Sequence, residues 1–185
     1  MTGVSALRAG PGRHQEATAL VGMVVFMAAW AMLFAGLFFA YGAIRVRATA
    51  WPPADLPRLP RALPALATLL LAGSSAVLAR AQIRAGVRGR AALAALLGVG
   101  FLGAQAAVWR RMLAAGLLPT VGGYGSFFWA LTLFHALHVA VGLGALAWLA
   151  VAGGAGSALR LRLWSLYWHM VGAIWVVMFV VVYLL

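Results

Sequence analysis

The sequence predicts an all-α integral membrane protein in which residues 1–185 form a single bundle of five transmembrane helices. Three observations support this fold class: 65% of the 185 residues are hydrophobic, only 9% are charged, and long apolar runs separate the charges. A soluble domain carries about 25% charged residues and could not bury this much apolar surface in one core. A disordered chain is poor in apolar residues, so disorder is excluded as well.

Five stretches without a charged residue determine where the helices are expected. A helix needs about 20 apolar residues to cross the hydrocarbon core, where its backbone must satisfy its own hydrogen bonds. Four stretches fit one crossing each, whereas Pro119, Gly122 and Gly123 divide the long run Met112–Leu159. The first stretch is too long for the apolar part of a signal peptide, so we interpret it as a retained helix. The predicted helices span about residues 17–44, 62–83, 91–111, 124–152 and 161–185.

The charged residues predict an orientation and a class of partner. All 14 basic residues are arginines, there are only two acidic residues, and the net charge is +12. Five crossings place the chain ends on opposite sides, with eight arginines on the N-terminal side and six on the other. Because arginine-rich loops stay in the cytoplasm, the N-terminus is predicted to be cytoplasmic and the C-terminus periplasmic. Arginines between apolar runs favour anionic lipid headgroups over nucleic acid as partners.

The longest polar segment follows the first helix, from about Arg45 to Arg61, and is rich in proline. Prolines make such a segment extended and stiff. Arginines flank it, and others cluster between the second and third helices, where each charge near anionic headgroups contributes about 1 kcal/mol. The alternative is that these arginines only anchor helix ends. The predicted phospholipid contacts are Arg45, Arg47, Trp51, Arg61, Arg80 and Arg84.

Three histidines are the only titratable side chains deep within the predicted helices: His135, His138 and His169. Three imidazoles could ligate copper or haem iron. The sequence supplies no supporting carboxylate, so the preferred interpretation is that they bond neighbouring helices or carbonyls and fix the packing. We therefore predict no catalytic residue, cofactor site or metal site in this chain. The lack of membrane carboxylates also argues against an independent pump or transporter.

Small residues recur at four-residue spacing on the third and fourth predicted helices. Such spacing lets helix backbones approach each other closely. The sequence therefore predicts helix contacts along two stripes of small residues: Ala95, Gly103 and Ala107, and Ala136, Ala140 and Gly144.

Ordered motifs run through most of the chain. Helix four reads YGSFFWALTLFHALHVAVGL (Tyr124–Leu143), and helix five reads LWSLYWHMVGAIWVVMFVVVYLL (Leu163–Leu185). They are preceded by GMVVFMAAWAMLFAGLFFAY (Gly22–Tyr41) and by a tryptophan-proline-proline loop. Together, from about Gly22 to Leu185, these segments resemble subunit III of the haem-copper cytochrome oxidases. The matched motif residues include Trp51, Pro52, Pro53, Gly98, Phe101, Gln105, Tyr124, Gly125, Ser126, His135, His138, Trp168 and His169.

The resemblance implies a non-catalytic accessory subunit of a haem-copper terminal oxidase in a bacterial inner membrane. Such a subunit holds no redox cofactor, packs against catalytic subunit I and stabilises it, and binds phospholipid. Haem and copper are then expected in partner subunits I and II, which pass electrons from cytochrome c or quinol to oxygen. Many members have seven helices, and five correspond to the shorter bacterial forms. Two alternatives stay open: a five-helix protein associated with nitric oxide reductase, and an oxidase assembly factor.

The chain departs from the family pattern where the family carries acidic side chains. Trp30 stands in place of a glutamate on the first matched helix, and Gly172 in place of an aspartate on helix five. Arg110 and Arg111 fall where an acidic pair is usual. These replacements remove the carboxylates that a role in proton uptake would need. A structural role depends on shape and packing and is unaffected.

Overall fold

Five long helices make up most of the computed structural model, which describes residues 12–81, 86–152 and 157–185. They are α1 (Arg13–Arg47), α2 (Ala62–Ala81), α3 (Val87–Ala114), α4 (Gly122–Ala152) and α5 (Ser157–Met178), and a π-helical segment, Phe179–Leu184, continues α5. All five are long and apolar enough to cross a membrane. The predicted all-α class and the five long apolar helices are confirmed.

Several helices extend beyond the uncharged runs from which they were predicted. α1 continues through Arg45 and Arg47, and the first turn of α3 contains Arg88 and Arg90. Arginine is a good helix former, and its long apolar stem lets the guanidinium reach the membrane surface from the last turn of a helix. The charged residues therefore do not mark the helix ends in this chain.

A short turn of residues 115–121 separates α3 from α4 at the break that proline and glycine predicted. Gly116, with a φ of 84°, follows α3, and Gly122, with a φ of 58°, opens α4. Glycine adopts these left-handed conformations without the steric cost of a Cβ atom. The backbone N–H of Leu117 donates to the carbonyl of Met112 at 2.9 Å and closes the end of α3.

The helices α2, α3, α4 and α5 form a closed ring in which each packs against two neighbours, and α1 packs outside against α4 and α5. Successive crossings alternate in direction. The loop of residues 48–61, the turn of residues 115–121 and Leu185 therefore lie at one end of the bundle, which we call the proline-loop end. Only 6% of the most apolar stretch of α1 is buried, against 28–39% in the other helices, so α1 is the least enclosed.

The centre of the ring is filled by aromatic side chains. Phe101 on α3 meets Trp175 on α5 edge to face, with 4.7 Å between ring centroids. The indole of Trp175 donates to Thr68 Oγ1 on α2 at 2.9 Å, and that of Trp168 donates to Ser74 Oγ on the same helix at 2.9 Å. A buried indole N–H needs an acceptor, so these two bonds hold α5 against α2 in a defined register.

Two glycines make room for the ring of Trp168. A Cβ atom at Gly98 on α3 would lie 2.9 Å from the ring, and one at Gly142 on α4 would lie 2.6 Å from it. The predicted stripes of small residues take part in packing within the chain only in part, since Ala95 packs against the buried core whereas the two glycines of the stripes do not. Gly103 and Gly144 are exposed, and no described atom lies within 4 Å of a Cβ built on either. Spacing alone does not show which face of a helix meets its neighbour.

Candidate functional site

The loop of residues 48–61 folds over the proline-loop end of the bundle and encloses a pocket of about 360 Å³. Trp51, Arg58 and Arg61 line it from the loop side, and Tyr124 and residues 182–185 line it from the helices. Two of the predicted phospholipid contacts, Trp51 and Arg61, therefore lie in one place. We call this cavity the loop pocket.

Trp51 holds the loop in position. Its indole N–H donates to the hydroxyl of Tyr41 at 3.2 Å, and its ring stands edge to face against Tyr41 and Tyr124, with centroids 5.4 and 5.2 Å apart. The hydroxyl of Tyr124 donates to the carbonyl of Pro57 at 3.2 Å. Two motif residues far apart in the sequence, Trp51 and Tyr124, thus form one contact between the loop and the bundle.

The other motif residues, in the loop and at the start of α4, set the path of the backbone around the pocket. Pro52, joined to Trp51 by a cis peptide bond, lines the loop pocket, and Pro53 is half-buried behind it. A Cβ atom at Gly125 would lie 2.5 Å from the carbonyl oxygen of Leu118, so only glycine allows the turn to come this close. Ser126 Oγ hydrogen-bonds the carbonyls of Pro119 and Gly122 at 2.8 and 2.9 Å. The tyrosine-glycine-serine motif therefore closes the turn onto α4.

Arginine side chains surround the loop pocket. Arg45 donates to the backbone oxygen of Leu185, and Arg61 Nε donates to that of Tyr183 at 3.4 Å. Carbonyls at the end of a helix carry partial negative charge, which attracts guanidinium groups. Arg58, which the prediction omitted, is exposed and lines the same cavity. The sequence feature that points to Arg58 is its position in the same loop, three residues before Arg61.

The other predicted phospholipid contacts do not join this cluster. Arg47 is exposed in the last turn of α1, outside the lining of the loop pocket. Arg80 is exposed near the end of α2, at the opposite end of the bundle, where its carbonyl accepts a hydrogen bond from Arg90 at 3.2 Å. Arg84 lies outside the described residues. The loop pocket is therefore the better-defined of the two predicted lipid sites.

His135 is buried in the aromatic core. Its ring lies 5.3 Å from Trp175, 5.7 Å from Phe101 and 6.1 Å from Phe34, measured between centroids. Within the described parts of the chain, neither of its ring nitrogens has a hydrogen-bond partner. The predicted hydrogen bond from this histidine is therefore not made within the described chain, and ring packing is what links it to the neighbouring helices.

His138 joins α4 to α1. Its Nδ1 donates to the carbonyl of Phe134 on its own helix, which is the kind of bond expected, whereas its Nε2 is unpartnered among the described residues. Trp30 packs against this ring edge to face, with 3.9 Å between centroids. An indole does not titrate in the physiological range. Trp30 therefore gives His138 an aromatic contact and no titratable group with which the imidazole could exchange a proton.

His169 does not join the other two histidines. It lies on α5 and lines a groove toward α2 with Thr68 and Ser75, whereas His135 and His138 point into the core. Across residues 12–81, 86–152 and 157–185, no cluster of three or more His, Asp or Glu residues could hold a metal ion. The absence of haem and metal from the chain stays a prediction.

Comparison with known proteins decides the family. The family model described as "Cytochrome c oxidase subunit III" matches residues 10–185. The chain belongs to the cytochrome c oxidase subunit III family. The resemblance drawn from the motifs is confirmed.

Relatives of this subunit III come from more than one kind of oxidase. Cytochrome c oxidase subunit 3 of Synechocystis sp. is 34% identical over 178 residues, which is 90% of this chain and 75% of the relative. That of Thermostichus vulcanus is 31% identical over 179 residues, covering 90% and 87%. Cytochrome bo(3) ubiquinol oxidase subunit 3 of Pseudomonas aeruginosa is 32% identical over 168 residues, covering 83% and 78%.

Family membership makes the chain a multi-pass membrane subunit of a haem-copper respiratory oxidase, and a subunit of such a complex has partner subunits. Most of the motif residues that carried the resemblance fall into two structural groups, whereas His169 lines the groove between α2 and α5. Those of the loop and the start of α4 form the proline-loop end, and His135, His138 and Trp168 fill the core between helices.

Proposed function

We propose that this subunit III is a non-catalytic accessory subunit that stabilises catalytic subunit I of its oxidase in a bacterial inner membrane. The observation that supports this role best is the burial of the motif residues in the core. His135, His138 and Trp168 are at most 3% exposed, and their rings pack inside the helix bundle. Haem and copper belong to partner subunits I and II, which pass electrons from cytochrome c or quinol to oxygen.

Removal of the subunit from the purified oxidase tests this role. We expect oxygen reduction per haem to be unchanged in freshly prepared enzyme, because the redox centres lie in the partner subunits. We expect the thermal midpoint of subunit I to fall by several degrees, because a partner that binds only the folded state stabilises it. Differential scanning calorimetry with and without the subunit measures the shift, and adding the purified subunit back is the control.

Two outcomes would contradict this role. Immediate loss of oxygen reduction, with the haems retained, would assign a direct catalytic part to subunit III. An unchanged thermal midpoint, with a chain that separates from the complex early in purification, would favour an assembly factor.

The loop pocket is proposed to hold the headgroup of an anionic phospholipid. Arg58 and Arg61 are both exposed beside Trp51, whose ring type favours the membrane interface. Guanidinium groups bind phosphate oxygens through charge-assisted hydrogen bonds. The pocket opens at the end of the helices, so the acyl chains would run along them in the membrane.

Replacement of both Arg58 and Arg61 with glutamine is expected to weaken phospholipid retention about 30-fold, since each arginine contributes about 1 kcal/mol near anionic headgroups. Mass spectrometry of lipid retained per complex measures it. Arg110→Gln is the matched control, because Arg110 is exposed at the same end of the bundle and does not line the pocket. Equal retention in the double variant and the control would refute the site.

The proposed orientation places the N-terminus in the cytoplasm and the proline-loop end in the periplasm. The eight-to-six division of arginines supports it. Alkaline phosphatase, which folds only in the periplasm, should be active when fused after Leu185 and inactive when inserted between α2 and α3. The reverse pattern of activity would show that the orientation is wrong.

A further inference from the structure

A groove of about 290 Å³ opens between α2 and α5, beside the hydrogen bond that joins Trp175 to Thr68. Thr68, Leu71 and Ser75 line it from α2, and His169 and Gly172 line it from α5. A Cβ atom at Gly172 would lie 3.4 Å from Ser75 Oγ. A larger side chain at that position would project into the groove, so Gly172 keeps it open.

The groove lies near the middle of the membrane-spanning segments. Leu71 is at the centre of α2, a helix of 20 residues, and residues 169–176 are in the central part of the apolar span Ala158–Leu184. At 1.5 Å per residue, α2 is about 30 Å long, which is the thickness of the hydrocarbon core. A charged headgroup would have to leave the membrane surface by about 15 Å to reach this depth, so the position favours an uncharged ligand.

Two hydrogen-bonding side chains face the groove without a partner. Neither the hydroxyl of Ser75 nor the ring of His169 is hydrogen-bonded within the part of the chain that the structure describes. Thr68 differs, because its hydroxyl donates to the carbonyl of Pro64 at 2.8 Å and accepts from Trp175 at 2.9 Å. An unpaired hydroxyl and imidazole N–H are costly at the depth of the lipid tails. Both therefore favour an acceptor supplied by another molecule.

We propose that this groove binds the ring of a membrane quinone. A quinone is uncharged, its carbonyl oxygens would accept hydrogen bonds from Ser75 and His169, and its planar ring would lie in the groove over the buried side chains of Leu71 and Trp175. The groove opens sideways, so the isoprenoid tail stays among the lipid chains. The site binds and orients the ring; no electron transfer to this chain is involved, and the proposal is independent of the electron donor of the oxidase.

Photoaffinity labelling of the intact oxidase in lipid nanodiscs with an azido-ubiquinone tests the site, with decylubiquinone as the competitor. Competitor-sensitive label is expected on peptides of α2 and α5. Ser75→Ala and His169→Leu should each lower it about fivefold, the effect of losing one hydrogen bond. Gly172→Leu should abolish it by filling the groove. Val177→Leu is the matched control, because Val177 is 48% exposed on the same helix outside the groove and its variant should label normally.

Three results would overturn the proposal: label that excess decylubiquinone does not displace, label that persists in Gly172→Leu, or label unaffected by the mild variant Ser75→Ala in an assembled complex. A high-yield disulfide between Ser75→Cys and a cysteine on a partner subunit's helix would also overturn it, because protein would then fill the groove. The chain has no cysteine of its own, so such a cross-link is unambiguous. Oxygen reduction and the thermal midpoint of subunit I are separate readouts, so failure here leaves the accessory role standing.

Discussion

Replacement of Trp168 with alanine is expected to destabilise the bundle by about 3–5 kcal/mol. The ring is fully buried, donates to Ser74 Oγ at 2.9 Å and lies against Gly98 and Gly142 on two other helices. Its removal leaves a cavity walled partly by helix backbone, which cannot collapse unless whole helices move. Denaturant unfolding of the purified subunit in detergent, followed by circular dichroism, measures the loss.

Trp148→Ala is the matched control for this prediction. Trp148 lies on α4, is 45% exposed and contacts the guanidinium of Arg160 at 4.8 Å from the ring centroid. Loss of an exposed contact of this kind costs about 1 kcal/mol or less. If the two alanine variants unfold at the same denaturant concentration, the prediction is wrong, because the close fit of Trp168 between the helices then adds nothing to the free energy of unfolding.

The substitution Gly142→Ala is expected to cost about 1–3 kcal/mol, although alanine is the better helix former by about 1 kcal/mol. Its Cβ atom would lie 2.6 Å from the ring of Trp168 and 3.2 Å from that of Tyr167. Neither ring is free to move, because Trp168 is bonded to Ser74 and Tyr167 donates to the backbone carbonyl of His138 at 3.0 Å. α4 and α5 must therefore separate, and the same unfolding measurement detects it.

Gly144→Ala provides the control, two residues further along α4. No described atom lies within 4 Å of a Cβ built at Gly144. This variant should be neutral or stabilised by up to about 1 kcal/mol through helix propensity alone. Equal stability of the two glycine variants would mean that α4 and α5 do not approach as closely as the structure shows.

Much of the proline-loop end could be predicted before any tertiary structure was considered. The loop stands out because proline and arginine interrupt an otherwise apolar chain, and this pattern predicts Trp51, Arg45 and Arg61 as contact residues. Their contacts with Tyr41, Leu185 and Tyr183 could not be predicted. Those partners are 10 to 140 residues away, and only the crossing of the helices brings them together. Arg58 differs, because its place in the same loop, three residues before Arg61, is visible in the sequence alone.

The three histidines show that residue spacing in the sequence predicts contacts within one helix but not between helices. His135 and His138 are three residues apart and were expected to share a face, and both are indeed buried. His169 lies in the groove because of the way α5 is rotated about its axis. That rotation follows from the fit of Trp168 against Gly98 and Gly142. The resemblance to the family included Gly98, but the spacing of small residues pointed to Gly103 and Gly144, which face away from the ring of helices.

By itself, the sequence determined the all-α class, the five long apolar helices, the connections between them and the family. These properties depend on hydrophobicity summed over about 20 residues and on local breaks, because a backbone in lipid must bond within its own segment. Only the tertiary structure decided which glycines meet Trp168, where α1 attaches through Trp30 and His138, and which polar side chains face the groove. Each of these depends on how helices rotate and pack. Side-chain fit between distant segments sets that packing, and an evenly apolar chain carries little periodic signal for it.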